Sequence, residues 1–281
     1  MSIIYNFLDI LPFNFLQYTF MKNALIAVLL ITPLFALLGT MAVNNKMAFF
    51  SDALGHSAFT GVAIGILLGI GDPVFSMVAF GIILGLGISK VKSFNTSSTD
   101  TIISVFSSVS VALGIVILSK EGGFAKYSYY LIGDILIVTP KEILMILLTL
   151  IAVYIVWYNI YNKLLLVSIN SSLASSRGIN EKFFENIFVI LLAISVMLSV
   201  KWVGILTINS LLILPAASAR NVAKNSAQYH FIALIISLLS GIIGLILSFY
   251  MGTSAGAAMV LIAALLFFIT LGIKHIKNKD H

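Results

Sequence analysis

The stretch that decides the fold is SDALGHSAFTGVAIG, residues 51–65, which lies in the second of several long apolar segments. Asp52, His56 and Thr60 recur every four residues, so a helix places them in one polar row on a single face. A second row beside it contains only small side chains: Ala53, Ser57, Gly61, Gly65 and Gly69. Because small residues allow helix backbones to approach closely in lipid, this second row is predicted to pack against another transmembrane helix.

The composition is that of a membrane protein. Hydrophobic residues make up 60% of the 281-residue chain and charged residues only 9%, whereas a soluble domain carries about a quarter charged residues. Nine apolar stretches are long enough to cross a bilayer: about 20–43, 51–70, 74–92, 99–119, 141–162, 183–201, 202–220, 228–250 and 256–274. The link between the sixth and seventh stretches is short, so these are interpreted either as two spans or as one broken hairpin. The prediction is therefore an all-α, polytopic membrane protein with eight or nine transmembrane helices in a single domain, residues 1–281.

The positions of the positive charges predict how the chain crosses the membrane. If the N-terminus lies outside and nine segments cross, eleven of the sixteen Lys and Arg residues fall on the inner side, including both arginines. Cytoplasmic loops carry the excess of positive charge, so we expect an outer N-terminus and a cytoplasmic C-terminus. Residues 1–19 begin with a segment too short to span, and they are predicted to lie at the membrane interface. These loops explain the net charge of +6, and the sequence has no contiguous basic patch that would indicate nucleic-acid binding.

Two of the connecting loops differ from the rest. Residues 120–140, on the outer side, contain a pair of glycines, three tyrosines and an aspartate, and are predicted to form an ordered loop or short helix that meets an extracytoplasmic partner. On the inner side, residues 163–182 include a run in which Asn170 or Ser171 can cap a short helix and Gly178 can end it. A short polar helix there would suit the docking of a soluble subunit, and an ordinary connecting loop is the alternative.

Asp52 and His56 are the candidate metal-binding residues. Ionisable side chains inside a membrane are costly, and they usually face a partner, a cavity or a pathway. The carboxylate, the imidazole and the hydroxyl of Thr60 could supply oxygen and nitrogen ligands to a divalent metal, and the cysteine-free sequence offers no thiolate. The alternative is that Asp52 and His56 satisfy each other and pin two helices. Asn209 and Ser210 interrupt the seventh apolar segment, and like Thr60 they are candidates either to line a path or to join helices.

The sequence motifs argue against an enzyme. Residues 252–256, GTSAG, match the G-x-S-x-G motif of serine hydrolases, but they join two apolar helices where that motif requires a strand followed by a helix. A turn followed by a helix start is therefore expected there. Neither H-E-x-x-H nor G-x-x-x-x-G-K-[ST] occurs, so a zinc protease has no support, and an ATPase that drives this protein must be a separate chain.

Five sequence landmarks, taken together and in this order, are similar to those of a known family: residues 51–63, 174–179, 203–206, 211–220, and 248–250 with 254–257. The first landmark is similar to the family pattern Gly-Asp-x-x-Ser-His-x-x-x-x-Gly-Val-Ala. Over nearly its whole length, the chain resembles the membrane subunit of the zinc/manganese ATP-binding-cassette importers, the ABC-3 family. Ser51 and Gly55 replace the Gly and Ser of that pattern, and Gly252 stands where many members have Asp.

This resemblance implies a permease of a bacterial zinc or manganese importer, embedded in the lipid of the cell membrane, with no catalytic residues and no permanent cofactor. The implied partners are a second permease copy in a homodimer or heterodimer, two cytoplasmic ATPases and an extracytoplasmic metal-binding protein. Asp52 and His56 match the metal-contacting pair, and the residues implied in coupling to the ATPase are Ser172, Ala174, Arg177, Gly178 and Ile179. Two other functions stay open at this point: a secondary, proton-coupled transporter of a metal or small solute, and an intramembrane hydrolase.

Overall fold

The structure is a computed structural model that describes residues 2–9, 12–94, 97–120 and 133–279. The helices in those ranges are α1 Ser2–Asp9, α2 Thr19–Asn44, α3 Phe50–Leu67, α4 Pro73–Lys92, α5 Thr99–Lys120, α6 Pro140–Ile169, α7 Ser171–Ser176, α8 Glu181–Val203, α9 Ile205–Val222, α10 Ser226–Met251 and α11 Ala255–Lys279, with 3-10 turns at Asn14–Gln17 and Ile135–Ile137. Nine of the described helices, α2 to α6 and α8 to α11, are long and apolar enough to span a membrane. The prediction of an all-α polytopic fold is confirmed.

The predicted sixth and seventh segments form two separate helices rather than one broken hairpin. Helix α8 has 23 residues and α9 has 18, and each is long enough to cross. Gly204 alone separates them, and its φ of 83° lies in a region that residues with side chains rarely adopt. The glycine therefore ends α8 and allows α9 to start at once, which gives nine candidate spans among the described residues.

Helix α6 is longer than the predicted fifth span, which ended at Asn162. It continues to Ile169, about two turns further, so the inner loop is shorter than the predicted residues 163–182. Asn162 and Lys163 are polar, but neither residue type breaks a helix. Leu164 and Val167 are buried and continue the packed face of α6 beyond that pair.

Residues 252–256 form a turn and a helix start, as predicted. Gly252 has a φ of 62° and ends α10 in the left-handed conformation that glycine tolerates. The amide of Thr253 then bonds to the carbonyl of Ser248 at 3.1 Å, and α11 begins at Ala255. The strand that a serine nucleophile requires is replaced here by a helix.

The N-terminal segment folds back onto the start of α2. Lys22, whose side chain is almost buried, forms an ion pair with Asp9 of α1. The Tyr5 hydroxyl also donates a hydrogen bond to the side-chain oxygen of Asn23. With eight residues, α1 is too short to span a membrane.

The outer loop predicted over 120–140 is described only at its ends. Residues 121–132 lie outside the described residues, so the expectation of order there stays a prediction. In the described part, the Asp134 carboxylate accepts a hydrogen bond from the amide of Leu136 at 2.9 Å and caps a short 3-10 turn.

The chain forms two compact units. The first is built from Met1–Thr40, Asp134–Ile151 and Asn209–His281. The second is built from Met41–Gly133 and Ala152–Ile208, and it contains α3, α4, α5, α7 and α8.

In the first unit, side-chain hydrogen bonds join α2 to α10. The Ser237 hydroxyl donates to the carbonyl of Thr32 at 3.0 Å, and the hydroxyl of Thr40 lies 2.7 Å from Nδ1 of His230. Gly241 allows the close approach, because an added Cβ would lie 2.6 Å from a methyl group of Val28. His230 thus takes part in the packing of α10 against α2.

In the second unit, α3 packs against α4, α5 and α8. The contact with α5 centres on Gly114, where an added Cβ would lie 2.6 Å from the hydroxyl oxygen of Thr60 and 3.0 Å from the ring of Phe59. The residues of α3 that face these neighbours are almost wholly buried. Asp52 and His56 near its start are more exposed, and they form the candidate site.

Candidate functional site

Asp52 and His56 lie in the first two turns of α3 and face the same way. Nε2 of His56 is 3.6 Å from Oδ1 of Asp52, and 53% and 50% of the two side chains are exposed. The chain enters α3 through a tight turn in which the amide of Met47 bonds to the carbonyl of Ala42 at 2.8 Å. Asp52 lies in the first turn of the helix, where the helix dipole stabilises a carboxylate.

This pair offers one carboxylate and one imidazole to a cation. The 3.6 Å separation is longer than the ~2.7–3.2 Å of a good nitrogen–oxygen hydrogen bond, so the groups are close without being locked together. Among the described residues, no three His, Cys, Asp or Glu side chains come together as a metal centre. A cation at the pair would therefore complete its coordination with water, neutral oxygens or groups of another copy.

The structure does not place Thr60 with Asp52 and His56. Thr60 is fully buried, and its hydroxyl donates a hydrogen bond to the carbonyl of Ser110 on α5. The reason is the helical period. Each step of four residues rotates by about 40° past a full turn, so Thr60 lies about 80° around the helix from Asp52. This rotation places Thr60 in the contact with α5, whereas Asp52 and His56 remain exposed.

The row of small residues also divides. Gly61 lies against α4, where an added Cβ would be 2.6 Å from Cα of Met77. A Cβ added to Gly65 would be 2.2 Å from the hydroxyl oxygen of Ser76, also on α4. Gly69 lies beyond the end of α3, with a φ of 69° and no atom near an added Cβ. Its amide bonds to the carbonyl of Ile66, so Gly69 closes the helix.

Asn209 and Ser210 lie in α9, in the first compact unit, and both side chains are partly buried. Both take part in polar or ring interactions with other residues. Asp52 and His56 belong to the second unit.

The inner loop contains the short helix that its caps predicted. In α7 the side chain of Asn170 accepts a hydrogen bond from the amide of Leu173 at 3.0 Å. Gly178, with a φ of 73°, ends the helix as expected, and the amide of Ile179 bonds to the carbonyl of Ala174 at 3.0 Å. Ala174 is fully buried, whereas Ser172, Arg177 and Gly178 are exposed and Ile179 is partly exposed. One small apolar residue thus anchors a polar helix whose other side is open.

Sequence reasoning missed a polar cluster between the end of α4 and the start of α8. Lys92 and Glu185 form an ion pair at 3.5 Å, and the Ser89 hydroxyl donates to the side-chain oxygen of Asn186 at 2.8 Å. The signal was faint, because lysines in the last turn of a helix are expected for the helix dipole alone. Only the packing of α4 on α8 brings the partners together.

Comparisons with known proteins agree over most of the chain. The model of the ABC 3 transport family matches residues 17–274. The chain is 35% identical over 249 residues to the high-affinity zinc uptake system membrane protein ZnuB of Haemophilus influenzae, covering 88% of this chain and 95% of that protein. It is 30% identical over 254 residues to the manganese transport system membrane protein MntC of Listeria monocytogenes, covering 90% of each.

The fold also matches a solved structure. The chain superposes on PsaBC from Streptococcus pneumoniae, solved in complex with Fab, with a TM-score of 0.78 and 26% sequence identity, covering 96% of this chain and 94% of that one. With a family model that matches residues 17–274 and a relative at 35% identity, this chain belongs to the ABC 3 transport family.

Proposed function

We propose that this chain is the membrane permease subunit of an ATP-driven importer of zinc or manganese ions in a bacterial cell membrane. The family match and the zinc and manganese relatives support the substrate class. The observation that carries the proposal is the half-exposed Asp52–His56 pair on α3, in a helix of which 13 of the 18 residues are buried. The chain itself acts as a transport subunit, and ATP hydrolysis takes place on a separate chain.

Asp52 and His56 act as transient contacts for the crossing ion. An ionised carboxylate within the membrane needs a compensating charge, which a divalent cation supplies, and a neutral imidazole is a suitable second ligand. Two permease copies in a homodimer would present two such pairs, which makes four ligands without a thiolate. A site on a pathway must release its ion, so binding there is weak.

Two further groups of residues have roles in this proposal. Asn209 and Ser210 are candidates to line the pathway, whereas the buried hydroxyl of Thr60 favours a role in holding α3 against α5. Helix α7 docks the ATPase, and its exposed polar side and ordered ends support this role. The residues that take part in the docking are Ser172, Ala174, Arg177, Gly178 and Ile179. The positive charge near α7 supports a cytoplasmic location for this helix and an outer location for the N-terminus. The third partner in this proposal is an extracytoplasmic metal-binding protein.

Reconstitution tests the proposed function. The permease and its ATPase, placed together in proteoliposomes with the metal-binding protein, should transport zinc or manganese only when ATP is supplied on the ATPase side. Collapse of the proton gradient should leave the initial uptake rate unchanged. Uptake by the permease alone, driven by a proton gradient, would contradict the proposal and favour a secondary transporter.

A further inference from the structure

The end of α4 and the start of α8 are joined by what we call the α4–α8 polar cluster: Ser89, Lys92, Glu185 and Asn186. Its two contacts are the 3.5 Å ion pair and the 2.8 Å hydrogen bond between side chains. The side chains of Lys92 and Glu185 are only 28% and 23% exposed. The cluster borders a cavity of about 700 Å³, and neither Asp52 nor His56 lines that cavity.

Helices α4 and α8 do not depend on this cluster to pack together. An added Cβ at Gly81 would lie 2.6 Å from the side chain of Met197, and one at Gly85 would lie 2.8 Å from Val189. Partly exposed ion pairs add little to stability. Such contacts can set the register of two helices, since a slide by one residue moves one helix about 1.5 Å along the other and disturbs the geometry of both polar contacts.

Helix α8 follows directly after the docking helix α7. Only residues 177–180 separate them, and that link is ordered by its own hydrogen bonds. The amide of Gly178 bonds to the carbonyl of Ser175 at 3.0 Å, and Asn180 caps α8 through the amide of Phe183 at 3.1 Å. A displacement of α7 therefore passes to the first turn of α8 instead of being absorbed in a loose loop.

Helix α4 lies against the helix that bears the metal-contacting pair. Gly61 and Gly65 of α3 allow α4 to approach closely at Met77 and Ser76. Helix α8 also packs against both α3 and α4. The three helices and α7 belong to the same compact unit, so a path of direct contacts runs from the docking helix to α3.

We propose that the four residues of the α4–α8 polar cluster are positioning residues that make α4 follow α8 when the ATPase displaces α7. The covalent link acts directly on α8 alone. The cluster holds the end of α4 in register with the start of α8, and α4 passes the movement to α3, which bears Asp52 and His56. This inference rests on the proposed function.

The test measures metal uptake and ATP turnover in the same proteoliposomes, which gives the number of ions transported for each ATP hydrolysed. Glu185→Gln and Lys92→Met each remove the ion pair. We expect ATPase co-purification and ATP turnover to stay at the wild-type level, and transported ions per ATP to fall about two- to fivefold. The swap Lys92→Glu/Glu185→Lys should restore the wild-type ratio.

The same helices provide matched controls. Lys90→Met and Glu181→Gln remove the same charges a few residues away, and both should leave the ratio unchanged. Wild-type ratios in Glu185→Gln and Lys92→Met would overturn the inference, and so would a loss that the charge swap does not restore. If the wild-type complex itself transports no metal with ATP, the proposed function fails instead.

A second measurement uses the absence of cysteine from the chain. Ser89→Cys/Asn186→Cys introduces one thiol pair, which a short bifunctional reagent can cross-link. If α4 and α8 move together, cross-linking leaves uptake at or above that of the same variant before cross-linking, because the linker replaces the lost hydrogen bond between Ser89 and Asn186. Loss of uptake on cross-linking, reversed by a reducing agent that cleaves the reagent, would show that the two ends separate during transport and would overturn the inference.

Discussion

Among single residues, the polar row of α3 shows how position on a helix separates chemistry from packing. Asp52 and His56 are half-exposed and 3.6 Å apart. Thr60 lies on a different side of the helix, where it is buried and hydrogen-bonded to α5. The sequence could predict the pair, because four residues make nearly one turn. It could not predict the fate of Thr60, because that depends on where a neighbouring helix packs.

The first prediction concerns Thr60. Replacement by Val keeps the shape and removes the hydroxyl that donates to Ser110, so stability should fall by about 0.5–1 kcal/mol. Metal uptake per assembled complex should stay near the wild-type level. Thermal unfolding in detergent and uptake normalised to protein check both parts. A stable Thr60→Val protein with abolished uptake would instead place Thr60 on the pathway.

The second prediction compares two glycines of α3. Gly61→Ala should destabilise the protein by about 1–3 kcal/mol, because its Cβ would meet the backbone of Met77, which cannot rotate away. Gly65→Ala should cost less, because the obstacle is the side chain of Ser76, which can change rotamer. Gly272→Ala, in α11 with no atom near the added Cβ, is the control. Equal unfolding temperatures for Gly61→Ala and Gly272→Ala would contradict the packing described for α3.

Among the elements, α7 is one whose ends are marked by residues in the local sequence. Asn170 and Gly178 are local signals, since a cap needs only the residues next to it. The end of α6 was predicted poorly for a related reason. Asn162-Lys163 has the polarity of a loop, and only the burial of Leu164 and Val167 on the packed face shows why the helix continues.

The third prediction concerns the end of α7. Gly178 has a φ of 73°, so Gly178→Leu should strain the turn by about 1–2 kcal/mol and loosen the helix end, whereas Gly178→Asn should be tolerated. We expect Leu to lower ATPase co-purification and metal-stimulated ATP turnover while the permease still inserts. Pull-down of the ATPase with each variant is the measurement. Wild-type docking with Gly178→Leu would argue against α7 as the docking helix.

At the scale of the whole molecule, the nine candidate spans found among the described residues follow from apolar runs of sufficient length, which the sequence alone displays. Contacts between helices that are distant in the chain cannot be read from the sequence in this way. Lys92 and Glu185 are 93 positions apart in the chain, and nothing in either local sequence pairs them. The family landmarks predict some of these contacts, because members of one family share a fold. They do not predict the α4–α8 polar cluster.

The fourth prediction concerns topology. In the cysteine-free chain, Asn14→Cys and Ser176→Cys each place one thiol at an exposed position. The excess of positive charge on one side predicts that a membrane-impermeant thiol reagent labels Asn14→Cys in intact cells lacking any outer barrier, and Ser176→Cys only after the membrane is opened. Labelling in the opposite order would invert the assigned orientation.

The central claim is that Asp52 and His56 contact the metal as it crosses, and uptake by variants of this pair tests it most directly. Radioactive zinc or manganese uptake and the yield of the permease–ATPase complex are measured side by side for Asp52→Asn, His56→Leu and the double variant Asp52→Asn/His56→Gln. All three variants should assemble normally and lose uptake, because each removes a charge or a nitrogen ligand. Wild-type uptake in the double variant, which keeps a neutral hydrogen-bonding pair, would contradict this claim and show that the pair only joins helices.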